Sequence, residues 1–312
     1  MTTSPSEPLL ETTTHLSPDG QTPAAIDETR VPSRAGIVLR RFLHHKVGVL
    51  GLVVIVLLVL VAYLGPIVDR WSYTQLDFNN FLTKPSGLHW FGTDEIGHDM
   101  FAATMRGAQK SIQIGLLVAL FATGVAAVVG AAAGYFGGWT DRVLMWIVDL
   151  LLVVPAFLII AVLSGQFASN WLLFVLLLGM FIWQITARIV RGQTLSLKER
   201  EYVSAARYMG VSGWRIIGRH ILPNLSSLLI IDATVNVSAA ILLEAGLSFF
   251  GFGVQPPDVS LGTLLSDNQQ AAFTSPWLFY FPAGFLILLV LAVNLAGDGL
   301  RDALDPTSGR AQ

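Results

Sequence analysis

Residues 47–68 read VGVLGLVVIVLLVLVAYLGPIV without one charged side chain, and further stretches of about twenty mostly apolar residues follow. A run this long crosses the roughly 30 Å hydrocarbon core as a helix, because a bilayer offers backbone groups no water and every N–H and C=O must be satisfied within the segment. Spans are expected at 47–68, 111–135, 141–163, 171–190, 223–246 and 277–297, which makes the chain an all-α polytopic membrane protein with six transmembrane helices. The composition agrees: 53% of residues are hydrophobic and 13% charged, with a mean hydropathy of +0.62, too apolar to cover a soluble core.

The charges orient the bundle. With the N-terminus cytoplasmic, of the 19 Lys and Arg only Arg70, Lys84, Arg106 and Lys110 fall outside, while the outer segments hold Asp69, Asp77, Asp94, Glu95, Asp99, Asp258 and Asp267. That asymmetry follows the positive-inside rule and places both termini in the cytoplasm. The expected organisation is a disordered tail over 1–34, rich in Ser, Thr, Pro and acids. A first-span region over 35–70, an extracytoplasmic loop over 71–109, a helical domain over 110–299 and a short cytoplasmic tail over 300–312 follow. The tail fits neither a signal peptide nor a transit peptide.

Several functions are excluded. Without cysteine there is no disulfide, thiolate nucleophile or Cys-ligated metal. No GxxxxGK[ST] phosphate loop and no HExxH pair occurs, and none of the six His lies in a span, so neither ATP hydrolysis nor zinc proteolysis has residues to run on. The net charge of −2 gives no nucleic-acid footprint. A proton-coupled carrier would show inverted repeats with broken helices, which the sequence does not display.

Inside the spans, Gly130 and Gly134 form a small-xxx-small pair suited to close helix packing within the bundle, and Pro155 is expected to kink the third span. Ionisable groups at membrane depth cost about 2.5–3.5 kcal/mol each on insertion scales and need partners or water. Asp149, Asp232 and Glu244, with Asn236 one turn beyond Asp232, are therefore the candidates for a translocation path. Asp149 reads as a structural partner for Arg142 or Arg188. Asp232 and Asn236 fit a structural pair or a water-lined path equally well, and Glu244, near the outer end, is placed to reach headgroups.

Between the fourth and fifth spans the chain reads EYVSAARYMGVSGWRIIGRHILPN, residues 201–224. A helix is expected up to Met209, stopped by Gly210, followed by a second short helix capped by Ser212 and running to Pro223. Tyr202, Ala205, Ala206 and Met209 recur on one small-residue face, with Arg200 and Arg207 on another. A helix of about ten residues is marginal alone in water and needs a surface to dock on.

The EYVSAARYMG stretch, followed eleven residues after Gly210 by ILPN, resembles the coupling loop of permease subunits of binding-protein-dependent ATP-binding-cassette importers. FGTDEIGHDMFAATMRGAQKSIQIG, GFGVQPPDVSLGTLL and NLAGDGLRDALDP resemble the second permease of dipeptide, oligopeptide and nickel importers, so the likeness covers about residues 40–306. It implies the type I importer permease fold and a coupling loop over 191–222. In that loop Arg200, Glu201, Tyr202, Ser204, Ala205, Ala206, Met209, Gly210, Ile221, Leu222 and Pro223 face an ATPase. Ser204 stands where the motif has glutamate, and Glu201 lies one turn earlier. The resemblance also implies a homologous partner permease, one or two ATPase subunits that bind ATP and Mg, and an extracytoplasmic substrate-binding protein. No cofactor is implied on this chain itself. Peptides are the implied substrate, with nickel, glutathione and haem as alternatives.

Overall fold

The computed structural model describes residues 34–167 and 170–304, so most of the expected N-terminal tail and residues 305–312 lie outside the described residues. The helices run in the order α1 (Arg34–His44), α2 (Lys46–Val68), α3 (Met100–Phe136), α4 (Gly138–Val153), α5 (Ala156–Phe167), α6 (Trp171–Gly179), α7 (Gln184–Lys198), α8 (Glu201–Tyr208), α9 (Gly213–Ile216), α10 (Ser226–Phe249), α11 (Leu261–Asp267) and α12 (Trp277–Leu304). Among the described residues there is no strand, only two isolated bridges in the 69–99 loop.

Among the described residues four segments are long and apolar enough to cross a membrane unbroken, and counting each of two bent pairs as one span gives up to six. The broken spans have identifiable causes. Val154 is extended (φ −74°, ψ 127°) ahead of Pro155, the conformation a following proline imposes, and α4 meets α5 at 79°. Between α6 and α7 the chain turns through 48°.

At 1.5 Å per residue α3 is about 55 Å long, well beyond the hydrocarbon thickness, and it is the axis of the bundle: 56% of its apolar window is buried against 17% for α2. Its residues enter every apolar cluster. Ile112 packs with α2, α10 and α12, Ile114 and Val118 with α6 and α10, Ala122 and Ala126 with α4 and α7, and Ala131 with α7 and α8. Asp99 caps its first turn by accepting from the Ala102 N–H at 2.8 Å. Packing on so many sides demands small residues. A Cβ at Gly134 would sit 2.8 Å from both Arg191 O and Thr194 Cβ of α7, and one at Gly130 2.8 Å from Val190 Cβ.

The fifth span differs most from expectation. Pro223 does not end the preceding helix. It has no N–H to give back to residue 219, and the chain absorbs this with a π-turn over Ile217–Ile221 and a 3-10 turn over Leu222–Leu225. Asn224 Nδ2 donates to His220 O at 2.6 Å, satisfying a carbonyl at the break. The result is one helical rod from Gly213 to Phe249. The expected loop over 191–222 correspondingly shrinks, since α7 runs on to Lys198 and the rod starts at Gly213.

Replacing Gly130 by Val is expected to lower stability by about 2 kcal/mol through overpacking against α7. Gly124→Val, at an exposed site with nothing within 4 Å of the new Cβ, is expected to change little; thermal unfolding in detergent compares the two.

Candidate functional site

The EYVSAARYMG stretch is built on α8. Its end is a Schellman motif: Val211 N–H donates to Ala206 O at 3.1 Å, Gly210 N–H to Arg207 O at 3.0 Å, and Gly210 takes φ +79°, a conformation that favours glycine. Val211 packs with Ala206 in the same apolar cluster. Ser212 stands at the N-cap of α9 but makes no side-chain capping bond. What starts α9 is close packing on the end of α3, where a Cβ at Gly213 would lie 2.7 Å from Phe136 and 2.8 Å from Tyr135, and Trp214 meets Phe136 edge-on at 5.3 Å.

The faces of α8 divide differently from the sequence reading. Val203 and Ala206 are buried, at 1% and 3% exposure, against Ala131, Val190, Ile216, Ile217, Ile221 and Leu225. Ala206 therefore belongs to the bundle-facing side. Tyr202, Ala205 and Met209 remain exposed together with Tyr208, an apolar face edged by the His220 ring, 6.3 Å from that of Tyr202. Arg200, Glu201 and Arg207 are exposed, Ser204 and Leu222 half-buried, and Pro223 exposed. Glu201 sits in the first turn of α8, where a negative charge suits the helix dipole.

The intramembrane acids fall into separate places. Asp149 on α4 pairs with Arg188 of α7 at 2.5 Å, and the pair is exposed. One turn of α7 further on, Arg191 grips Asp141 through two hydrogen bonds, Nη2 to Oδ2 at 2.6 Å and Nε to Oδ1. Asp232 is half-buried where α3, α7 and α10 meet. It accepts from Thr186 Oγ1 at 2.7 Å, Asn236 Nδ2 at 2.8 Å and Thr123 Oγ1 at 3.1 Å. Asn236 and Asp232 are thus brought together, as their spacing foretold.

Glu244 corrects its expected placement. It is fully buried and cannot reach headgroups. Ser248 Oγ donates to it at 2.6 Å and Ser111 Oγ at 3.2 Å. Ser111 Oγ also accepts the Leu261 N–H at 3.2 Å, and Ser260 Oγ lies 3.4 Å from Ser248 Oγ while capping α11. One carboxylate therefore ties α3, α10 and the start of α11 together through hydroxyl groups. The four-residue spacing of Glu244 and Ser248 on α10 was the one signal of this cluster in the sequence.

A second link at the same end was missed because the second span was expected to begin at Ser111. Since α3 starts at Met100, Arg106 and Lys110 lie on the helix itself, one turn apart. Both reach Asp258 in the loop before α11, at 3.2 and 3.1 Å. Lys110 is nearly buried and lies over the Trp171 ring at 4.2 Å, and Arg106 lies over Tyr73 at 5.2 Å. In the 69–99 loop, buried His89 stands between Asp99 (2.8 Å) and Asp77 (3.3 Å). The Asn80 side chain and Asn79 N–H hold the Asp77 carboxyl below its usual range. Burial, and then the like charge of Asp99, push Asp69 up, and burial pushes Asp267 up.

The sequence that folds into this bundle has close relatives. The family profile described as "Binding-protein-dependent transport system inner membrane component" matches residues 126–309. The chain belongs to this family of inner-membrane permeases. A second profile, "N-terminal TM domain of oligopeptide transport permease C", matches residues 33–85. The permease is 55% identical over 282 residues to a protein of Mycobacterium tuberculosis named "Oligopeptide transport system permease protein OppC", covering 90% of this chain and 97% of that one. It is 40% identical over 268 residues to the Bacillus subtilis protein of the same name, covering 85% and 87%.

Asp258→Ala in the permease leaves Lys110 buried without its partner. The expected cost is about 2 kcal/mol, below the roughly 3–5 kcal/mol of a fully buried pair because Asp258 is 27% exposed. Adding Lys110→Met is expected to recover at least half of the loss, measured by thermal unfolding of single and double variants.

Proposed function

We propose that this chain is the permease subunit of an ATP-driven importer that carries peptides across the cytoplasmic membrane. Two relatives spanning most of the chain bear the name of oligopeptide transport permeases, and this supports peptides over nickel, glutathione or haem. In this reading the chain is not an enzyme and holds no cofactor. ATP and Mg bind one or two partner ATPase subunits, a homologous permease forms the other half of the path, and an extracytoplasmic binding protein delivers the substrate.

The observation that carries the mechanism is the split of α8 into a buried face and a bare one. Tyr202, Ala205, Tyr208 and Met209 form a small apolar surface for a groove on the ATPase, rimmed by Arg200, Glu201 and Arg207. Val203 and Ala206 fix the same helix to α3, α7 and the α9–α10 rod. A push on α8 is therefore delivered to the bundle through Ile216, Ile217 and Ile221 rather than dissipated in a loop. Ser204, half-buried on the flank of α8, leaves the acidic role of the coupling motif to Glu201 at the exposed first turn.

Within the membrane, the exposed Asp149–Arg188 pair suits a face turned to the partner permease and the path, since two charges left to lipid would each be costly. Asp232 with Asn236 holds the three helices that line that side, and Glu244, wholly enclosed, acts on the path by positioning α11. The Lys110 and Arg106 contacts to Asp258 pin the loop over which an outer gate would open. Both ends of the fifth span are thus fastened, one to the ATPase through α8 and the other to the gate through Glu244, so alternating access can be driven along one rod.

Ala205→Trp places bulk on the bare face and is expected to lower recovery of the ATPase subunits with the tagged permease about tenfold, equivalent to about 1.4 kcal/mol of docking energy, with no change in thermal unfolding. In vesicles holding the whole complex, peptide uptake is expected to require ATP. Uptake driven by a proton gradient without ATP would overturn this reading.

A further inference from the structure

Helix α1 is absorbed neither by the transport path nor by the coupling element. It is separated from α2 by His45 alone, extended at φ −83°, ψ 91°. His45 caps α2 by accepting the Gly48 N–H at 3.0 Å and pairs with Asp302 of α12 at 3.1 Å. The junction is held where α2 and α12 touch, with Gly48 packed on Gly299 and Phe42 against Gly48. Eleven residues span about 16 Å, too short to cross a bilayer, and the first residue of a membrane span follows one residue later. Position alone puts α1 at the membrane boundary.

Its side chains are arranged for that boundary. Around the helix, Val38 and Phe42 face the bundle, half-buried and buried. Next come Leu39 and Leu43, one turn apart and exposed at 59% and 58%. Beyond them lie Arg40 and His44, then Ile37 and Arg41, all exposed. No acid occurs in RAGIVLRRFLH, and Lys46 adds a cation at the start of α2. Bulky leucines left in water would be unfavourable. A helix with an apolar edge beside a cationic edge fits the acyl–headgroup boundary of anionic lipid.

We propose that α1 is an interfacial helix that binds anionic phospholipid, with Leu39 and Leu43 in the acyl region and Arg40 and Lys46 on headgroup phosphates, fastening the end of the bundle formed by α2 and α12 to the membrane surface. This rests on α2 spanning the bilayer and not on the substrate carried, so it stands or falls separately from the transport reading.

The chain contains no cysteine, so Leu39→Cys and Leu43→Cys each give a single spin-label site in the full permease, reconstituted with its complex into vesicles of phosphatidylcholine alone or with one quarter phosphatidylglycerol. The expected result is a label reached by oxygen and shielded from a water-soluble nickel chelate, more so with phosphatidylglycerol. Arg40→Gln is expected to reduce the inserted population about fivefold, the effect of one cation near an anionic surface, and Arg40→Glu to reduce it further. Labels open to the nickel chelate in both lipids would overturn the proposal. So would labels shielded from both probes, which would mean that a protein surface such as an ATPase subunit or the residues before α1 covers the leucines. Equal insertion in both vesicles would overturn the anionic assignment.

Discussion

The close approach of α3 and α7 across Gly130 and Gly134 is the constraint on which the rest depends. In lipid there is no hydrophobic gain from helix association, so what holds helices together is van der Waals contact at short range and the polar bonds that short range permits. With glycine at both positions, α7 comes near enough for Thr186 to bond Asp232 and for Val190 to join Ile216 and Ile221 around Val203 and Ala206. Larger residues there would separate the helices, and both the Asp232 cluster and the seat of α8 would be lost with them. Helix α8, only eight residues long, rests on a seat prepared by contacts between other helices.

A related logic governs the charged groups. Glu244 has hydroxyl partners from α3 and α10, Asp232 has two threonines and an asparagine, and Lys110 has a carboxylate and an indole face. Each of these three charged groups is answered, because an unanswered charge costs more there than at the surface. Each set of partners also comes from more than one helix or from a helix and a loop, so the same bonds that make the charge tolerable fix the relative position of elements that a transport cycle has to move. Moving them means exchanging these bonds for others, which favours discrete states over gradual deformation.

The spans, the Pro155 kink, the Gly210 stop and the pairing of Asp149 with a nearby arginine were legible because each depends on local sequence or on period: apolar length, a missing N–H, a left-handed turn, and two candidate cations, Arg142 and Arg188, at the right depth, of which Arg188 makes the pair. The failures share a different cause. Ala206 was grouped with Tyr202 and Met209 by helical spacing, but spacing says which residues share a face and not which way the face turns; Val203, not counted in that stripe, decided it by packing on α9. Pro223 looked like an end because its missing N–H usually is one. Only the π-turn before it and Asn224 after it, whose bonds are not visible in residue types, let the rod continue. Glu244 was misplaced because depth along a helix was read without the loop that folds back over it from Val254 to Leu261.

That last point has a physical corollary for how the two ends of the molecule work together. The rod from Gly213 to Phe249 begins beside α8 and ends at the Glu244 cluster, and a helix transmits displacement along its axis far better than a loop does, since its hydrogen bonds are in series and shared by every turn. The α-helical pattern of the rod is interrupted at the π and 3-10 turns around Pro223, near its α8 end, while Ser226–Phe249 is one unbroken α-helix packed on α3 and α12. The proline is tolerated because the π-turn before it and the Asn224 side chain after it take up the hydrogen bonding it cannot supply.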